Sequence, residues 1–149
     1  MRLPKLTLTL LATVGSTPAS AEGRYQAIFA NAERTILFDD MSLQRRGNAT
    51  FWTVSIERDS DYDYMLVKQE VDCSDRMWRP TFFLQYENTS VSRSGPLTSE
   101  FTPIAPSSTG EITANYACDG ELSEGYETFR VPSDMLHRMK GILFTKDAE

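Results

Sequence analysis

The stretch "TFWTVSIERDSDYDYMLVKQEVDC", residues 50–73, decides the fold. Its carboxylates at Asp59, Asp61 and Asp63, with Glu70 in twelfth place, have the oxygen-ligand spacing of a calcium loop between two helices. Such a loop needs glycine in sixth place, where the chain turns with positive φ, and here that residue is Tyr64. The flanks alternate with period two instead. Trp52, Val54 and Ile56 fall on one side and Phe51, Thr53 and Ser55 on the other, the pattern of a strand with one buried face. Met65, Val67, Val71 and Cys73 likewise share a side, interrupted by Gln69. The stretch therefore reads as a β-hairpin with an aspartate-rich tip, because Asp favours turns and discourages edge pairing. Glu70 then projects from mid-strand, far from the tip. No metal centre is expected, and a weak cation site at Asp59, Asp61 and Asp63 is the alternative.

Outward from the hairpin, strand-like runs occupy residues 25–29, 35–39 and 78–86, the last with Trp78, Phe82, Leu84 and Tyr86 on one side. Pro80 makes that run an edge strand or marks its start. Turn signals separate the runs at Gly47-Asn48 and at "DCSD", residues 72–75. Successive strands joined by short turns predict an antiparallel sheet of about five to six strands. Residues 87–108, rich in Ser, Thr and Pro, read as a long surface loop. Ser108 and Glu111 have capping-box spacing and open a short helix through Ile112 and Tyr116 to Cys118. Beyond Gly120, Ser133 can cap an amphipathic helix carrying Met135, Leu136, Met139, Ile142 and Leu143, with His137, Arg138, Lys140 and Lys146 toward its C-terminal end. The fold class expected is α+β: a small antiparallel sheet, one short helix after it, and a C-terminal helical extension over residues 120–149.

The chain opens with Arg2 and Lys5, an apolar run over residues 6–14, and Ala19-Ser20-Ala21. That is the layout of a secretory signal peptide over residues 1–21, cleaved before Glu22. The apolar run is too short to span a bilayer, which takes about 20 residues, so a periplasmic or secreted protein is expected, not a transmembrane one. Without residues 1–21 the chain keeps 13 basic and 21 acidic residues, a net charge of −8. That balance argues against nucleic acid as a partner, since phosphate binding rests on clustered Lys and Arg. The two cysteines, Cys73 and Cys118, point to one disulfide in an oxidising compartment. A redox or zinc pair would need C-x-x-C or two further ligands.

Catalytic constellations are missing. His137 is the only histidine, no G-x-S-x-G occurs, and adjacent Asp39 and Asp40 point apart on a strand unless the chain turns there. No cofactor is expected. Arg45, Arg46, Arg76 and Arg79 lie near strand ends and, with Trp52, are the candidate binding residues. Their plainer role is to balance carboxylates. Asn48 and Asn88 also match glycosylation acceptors.

These residues together form a pattern: Phe38-Asp39, Ser42, Arg45, Gly47-Asn48, Trp52, then Asp72-Cys73, then Pro103, Pro106, Ser107 and Cys118. In order and spacing this resembles the surface-adhesin protein E-like family of small exported bacterial proteins, over residues 24–119. The resemblance implies a small antiparallel sheet carrying one helix, with Cys73 bridged to Cys118. It further implies non-catalytic binding of a macromolecule, as characterised members bind host proteins at the cell surface, and it admits a homodimer. A domain over residues 22–119 follows. Two alternatives stand beside this reading. One is an envelope-associated structural module docking through its C-terminal helix, and the other is a hydrolase built on carboxylates such as Asp39 and Glu70. The loop over residues 87–100 holds one basic residue, Arg93, and so offers little to an anionic ligand.

Overall fold

The structure, a computed structural model, describes residues 24–145. The expected signal peptide, residues 1–21, lies outside them. The alternating runs form strands β1 (Tyr25–Ala30), β2 (Arg34–Asp39) and, after the short strand β3 (Gln44–Arg46), β4 (Asn48–Glu57), β5 (Tyr64–Asp72) and β6 (Met77–Glu87). Three further strands occupy stretches expected to be loop or extension, β7 (Ser90–Pro96), β8 (Thr102–Pro103) and β9 (Arg130–Val131), and the expected helix α1 (Thr109–Asp119) lies between β8 and β9. Helix α2 (Leu136–Leu143) is the last element among the described residues. All pairings are antiparallel, in the order β7-β6-β5-β4-β2-β1-β9, with β3 on β4 and β8 on β6.

The sheet thus has nine strands among the described residues, more than the five to six expected. β3, β8 and β9 are too short to show alternation. β7, "SVSRSGP", carries almost no apolar signal, because as an edge strand it is exposed along nearly its whole length. Residues 87–108 are therefore not one surface loop. Asn88 and Thr89, both at positive φ, form the tight turn that folds β7 back on β6.

β4 and β5 pair from Ala49↔Val71 to Ser55↔Met65, which makes residues 50–73 the hairpin that their alternation predicts. One expectation about it fails: β4 is buried on both faces, with Phe51, Val54 and Ile56 at most 1% exposed. The reason is a helix on each side. Against the odd-numbered face of β4, Phe51 and Ala49 pack with Ile28, Phe38, Val71, Ala114 and Ala117 under α1. Against the even-numbered face, Val54 and Ile56 pack with Tyr25, Leu37 and Tyr64 under Leu136 and Met139 of α2.

β6 departs from its predicted pattern in two ways. Its register with β5 shifts between Lys68 and Gln69, so Trp78 lies opposite Val71 on the α1 face while Phe82 lies opposite Lys68 on the α2 face. A bulge of this kind exchanges faces, which period-two counting cannot foresee. Pro80 is neither on an edge strand nor at the start of β6. It stands at the bulge, between the segment that pairs with β8 and the segment that pairs with β7, where its missing N–H leaves no ladder bond unmade.

Helix α1 is capped as its sequence requires. Ser108 Oγ accepts from the Glu111 N–H, the Glu111 carboxylate accepts from the Ser107 N–H, and Gly120 ends the helix in the left-handed region. The Cys73–Cys118 disulfide joins its last turn to the end of β5. Helix α2 lacks a side-chain cap, and Ser133 instead begins a 3-10 turn over Ser133–Met135. Leu136 and Met139 are buried, whereas Ile142 points outward at 54% exposure.

Candidate functional site

Adjacent arginines part company because neighbours on a strand face opposite ways. Arg45 turns to the α1 side, where its Nε donates to the Ala117 carbonyl at 2.9 Å. Carbonyls in the last turn of a helix lack intrahelical partners, so this bond completes the C-terminal end of α1. Arg76 does similar work, donating from Nη2 to Asn115 Oδ1. Both are engaged in holding α1. Arg46 pairs with Asn48 on the other face and has no side-chain partner among the described residues.

On that α2 face the helix covers Val54 and Ile56 of β4 and Tyr64 of β5, and the stretch from Asn48 to Trp52, with Lys68, Glu70, Arg79 and Phe82 beside it, stays open. There Glu70 Oε1 accepts from Asn48 Nδ2 at 2.8 Å, and Glu70 Oε2 accepts from Arg79 Nε and Nη2 at 2.9 and 2.7 Å. The Asn48 amide, and after it the Arg79 guanidinium, hold the Glu70 carboxyl below its ordinary value against the opposing effect of burial. Arg79 is itself fixed over the Phe101 ring, 4.4 Å from its centroid. Gln44, Arg46, Gly47, Asn48, Thr50 and Glu70 surround a cavity of about 320 Å³. Two residues along β4 on the same face stands Trp52, edge-on to Phe82 with centroids 6.4 Å apart and with Lys68 between them in the register. Trp52 and Phe82 are part-buried, and Lys68 is exposed.

Of the candidate binding residues, the structure thus brings Arg46, Trp52 and Arg79 to one open face and sends Arg45 and Arg76 to the helix behind it. Lys68 carries no signal in the sequence, where Phe82 reads only as a strand position, Asn48 as a turn, family-pattern and glycosylation residue, and Glu70 as a candidate for calcium or hydrolysis. The signal that finds them is parity: positions 48, 50, 52 and 68, 70 alternate in step once the β4–β5 register is known.

The aspartates at the hairpin tip do not converge. Asp63 Oδ2 accepts from the Asn88 N–H at 2.8 Å, while Asp59 and Asp61 are exposed. The cation at this turn is Lys140 from α2, whose ammonium donates to Ser60 Oγ and the Tyr62 carbonyl at 2.9 Å each, and also to the Ser60 carbonyl. Among the described residues no group of three or more His, Cys, Asp or Glu side chains is arranged to hold a metal ion. A neighbouring cleft of about 520 Å³ is bounded by Glu33, Arg34, Glu57 and Asp59, but Glu57 already accepts from Ser55 and Tyr62.

Asp39 and Asp40 are separated as well. Asp39, 1% exposed, is gripped through both oxygens by Arg24 Nε and Nη2. Asp40 begins a 3-10 turn and accepts from the Tyr116 hydroxyl and from Arg130, each at 2.8 Å. Burial first, then the Asp40 carboxylate, pushes the Tyr116 hydroxyl up to about 12.

The model of the family described as surface-adhesin protein E matches residues 25–119. No curated protein and no solved structure matches the chain.

Proposed function

From the premise that the chain belongs to the surface-adhesin protein E family, we propose that it is an exported, non-catalytic binding domain that contacts a macromolecular partner at or beyond the cell envelope. The open part of the α2 face, with Arg46, Trp52 and Arg79, makes the contact. The observation that carries this reading is the incomplete cover of that face, where a fixed Asn48–Glu70–Arg79 network adjoins a part-exposed aromatic pair. Export is supported by the residue 1–21 pattern and by the Cys73–Cys118 bridge, which suits an oxidising compartment.

Two observations favour this over the alternatives. The apolar side of α2 is spent on the protein's own sheet through Leu136 and Met139, which leaves little for docking elsewhere. For hydrolysis, Asp39 and Glu70 each have both oxygens engaged.

The experiment is cross-linked capture from the native envelope and its surroundings, comparing the wild type with Arg46→Ala and Trp52→Ala. A captured partner should be lost with either substitution and kept with Arg93→Ala on β7. Equal capture by all four proteins would refute the assignment of this face. Mass spectrometry of the exported protein should find Glu22 as its first residue, and a chain that retains residues 1–21 would remove export from the reading.

A further inference from the structure

Resting on the reading just given, the geometry points to the chemical class of the partner: the cavity beside Trp52 is a subsite for an anionic glycan, a chain carrying uronate groups. Three properties of the site select that class.

The first is the kind of polar group. The cavity wall offers two planar amides, Gln44 and Asn48, one carboxylate, Glu70, and one hydroxyl, Thr50. These are groups that exchange paired hydrogen bonds with vicinal hydroxyls: Glu70 Oε1 keeps a lone pair free after accepting from Asn48, while Oε2 is filled by the two donors of Arg79. The network is already formed, so a ligand does not have to order it. At Gly47 the backbone runs with φ +82°, and nothing lies within 4 Å of where a Cβ would stand, so a ligand can approach the main chain closely.

The second is the surface beside the cavity. Trp52 supplies a flat apolar surface with one N–H donor, and Phe82 braces it. Sugar rings present the matching combination of C–H face and polar rim. A protein partner would need some 800 Å² of complementary surface on each side. The large apolar residues exposed among the described residues, Met41, Val91, Phe129 and Ile142, do not line this cavity. Its volume of about 320 Å³ lies at the lower end of the ~300–1,000 Å³ of small-ligand sites, which suits one or two rings of a longer chain.

The third is charge. Glu70 neutralises Arg79, while Arg46 and Lys68 have no side-chain partner among the described residues. The face therefore carries two uncompensated positive charges on a protein whose sequence is net −6. A neutral glycan gains nothing from them, and an anionic one is steered to this face and away from the rest of the surface.

The test is calorimetric titration of the disulfide-bonded exported protein with an octasaccharide of galacturonate and, separately, with maltooctaose. The galacturonate chain should bind at least ten times more tightly than the neutral one, and its affinity should fall as salt rises. Arg46→Ala and Trp52→Ala should each weaken it tenfold or more, Lys68→Ala should weaken it less, and Arg93→Ala should leave it unchanged. Should Trp52→Ala unfold, Trp52→His serves in its place, with circular dichroism checking the fold. Failure to bind galacturonate at millimolar concentration, equal binding of maltooctaose, or full binding by Arg46→Ala each overturns the inference. A protein that captures a polypeptide through this face yet ignores galacturonate overturns the glycan and leaves the binding function standing.

Discussion

Substituting the two buried residues of α2 tests whether the chain beyond the matched family region is part of the core. Leu136 and Met139 are 4% and 5% exposed and lie on Tyr25, Leu37, Val54 and Ile56. Truncating a buried Leu or Met to Ala costs about 2–5 kcal/mol, the sum of lost transfer energy and the cavity left behind. The two residues are three apart on one helix and share neighbours, so the double variant should lose less than the sum. Even so, a loss of about 4–8 kcal/mol would consume most of the ~5–15 kcal/mol that holds a domain folded. Ile142→Ala, at an outward position, should stay within about 0.5 kcal/mol of wild type. Urea unfolding with the disulfide intact, followed by tryptophan fluorescence, measures all four proteins. If Leu136→Ala and Met139→Ala each cost less than about 1 kcal/mol with an unchanged denaturant slope, α2 does not seal the core and the packing argument is wrong.

The remaining expectations concern the latch, the bridge and two pH ranges. Lys140→Met removes a charged donor from three acceptors and should cost about 1–3 kcal/mol in the same unfolding assay, whereas no change would show that the hairpin tip does not need its internal cation. Cleaving Cys73–Cys118, 45 residues apart in sequence, should cost roughly 4 kcal/mol on the chain-entropy model, and two free thiols in the untreated exported protein would contradict both bridge and compartment. The folded-state pKa of Glu70 is depressed, so its stabilisation is present above its ordinary value of 4.5 and is lost as pH falls through the lower folded value. Glu70→Gln should therefore melt below wild type at neutral pH and converge with it in acid, and a constant gap would refute the linkage. Tyr62, Tyr64 and Tyr116 are raised to about 12, chiefly by burial, so what they contribute is complete below pH 10 and lost as pH rises through 12. Phenolate absorbance should show these three titrating late while the protein stays folded, and a single transition near 10 under native conditions would contradict their burial.

Much of the architecture was legible because the decisive stretch repeats one signal. Period-two alternation on both sides of the Asp59–Asp63 turn outweighs an acidic spacing that lacks its glycine, and the capping box at Ser108 marks α1 within a residue of where it begins. What escaped reading had weak local signals. A two-residue strand such as β9 exists because β1 offers an unpaired edge, a tertiary cause with no mark in the sequence. The bulge opposite Lys68 exchanged the faces of Trp78 and Phe82, because pattern counting assumes an unbroken ladder. The candidate site was half legible for a related reason. Arg45 and Arg46 look alike in sequence and are both exposed, yet parity makes one a clasp on α1 and puts the other on the open face.

The open face has a geometric origin, and its composition does not. The sheet path of seven strands spans roughly 29 Å at the usual strand spacing, whereas a helix of eight residues such as α2 is about 12 Å long. One such helix cannot cover the face, so part of it must meet solvent. Solubility alone would be served by unpaired surface charges of any arrangement. The residues actually there are more specific than that: a carboxylate bonded through both oxygens, an arginine held between that carboxylate and Phe101, and a tryptophan braced by Phe82. Holding long side chains in one geometry costs rotamer entropy, and part-exposed aromatics give back less than buried ones. Surface ion pairs, worth ~0–1 kcal/mol, do not offset such losses by much. The proposed recognition of a ligand would account for that arrangement, and stability alone does not select it.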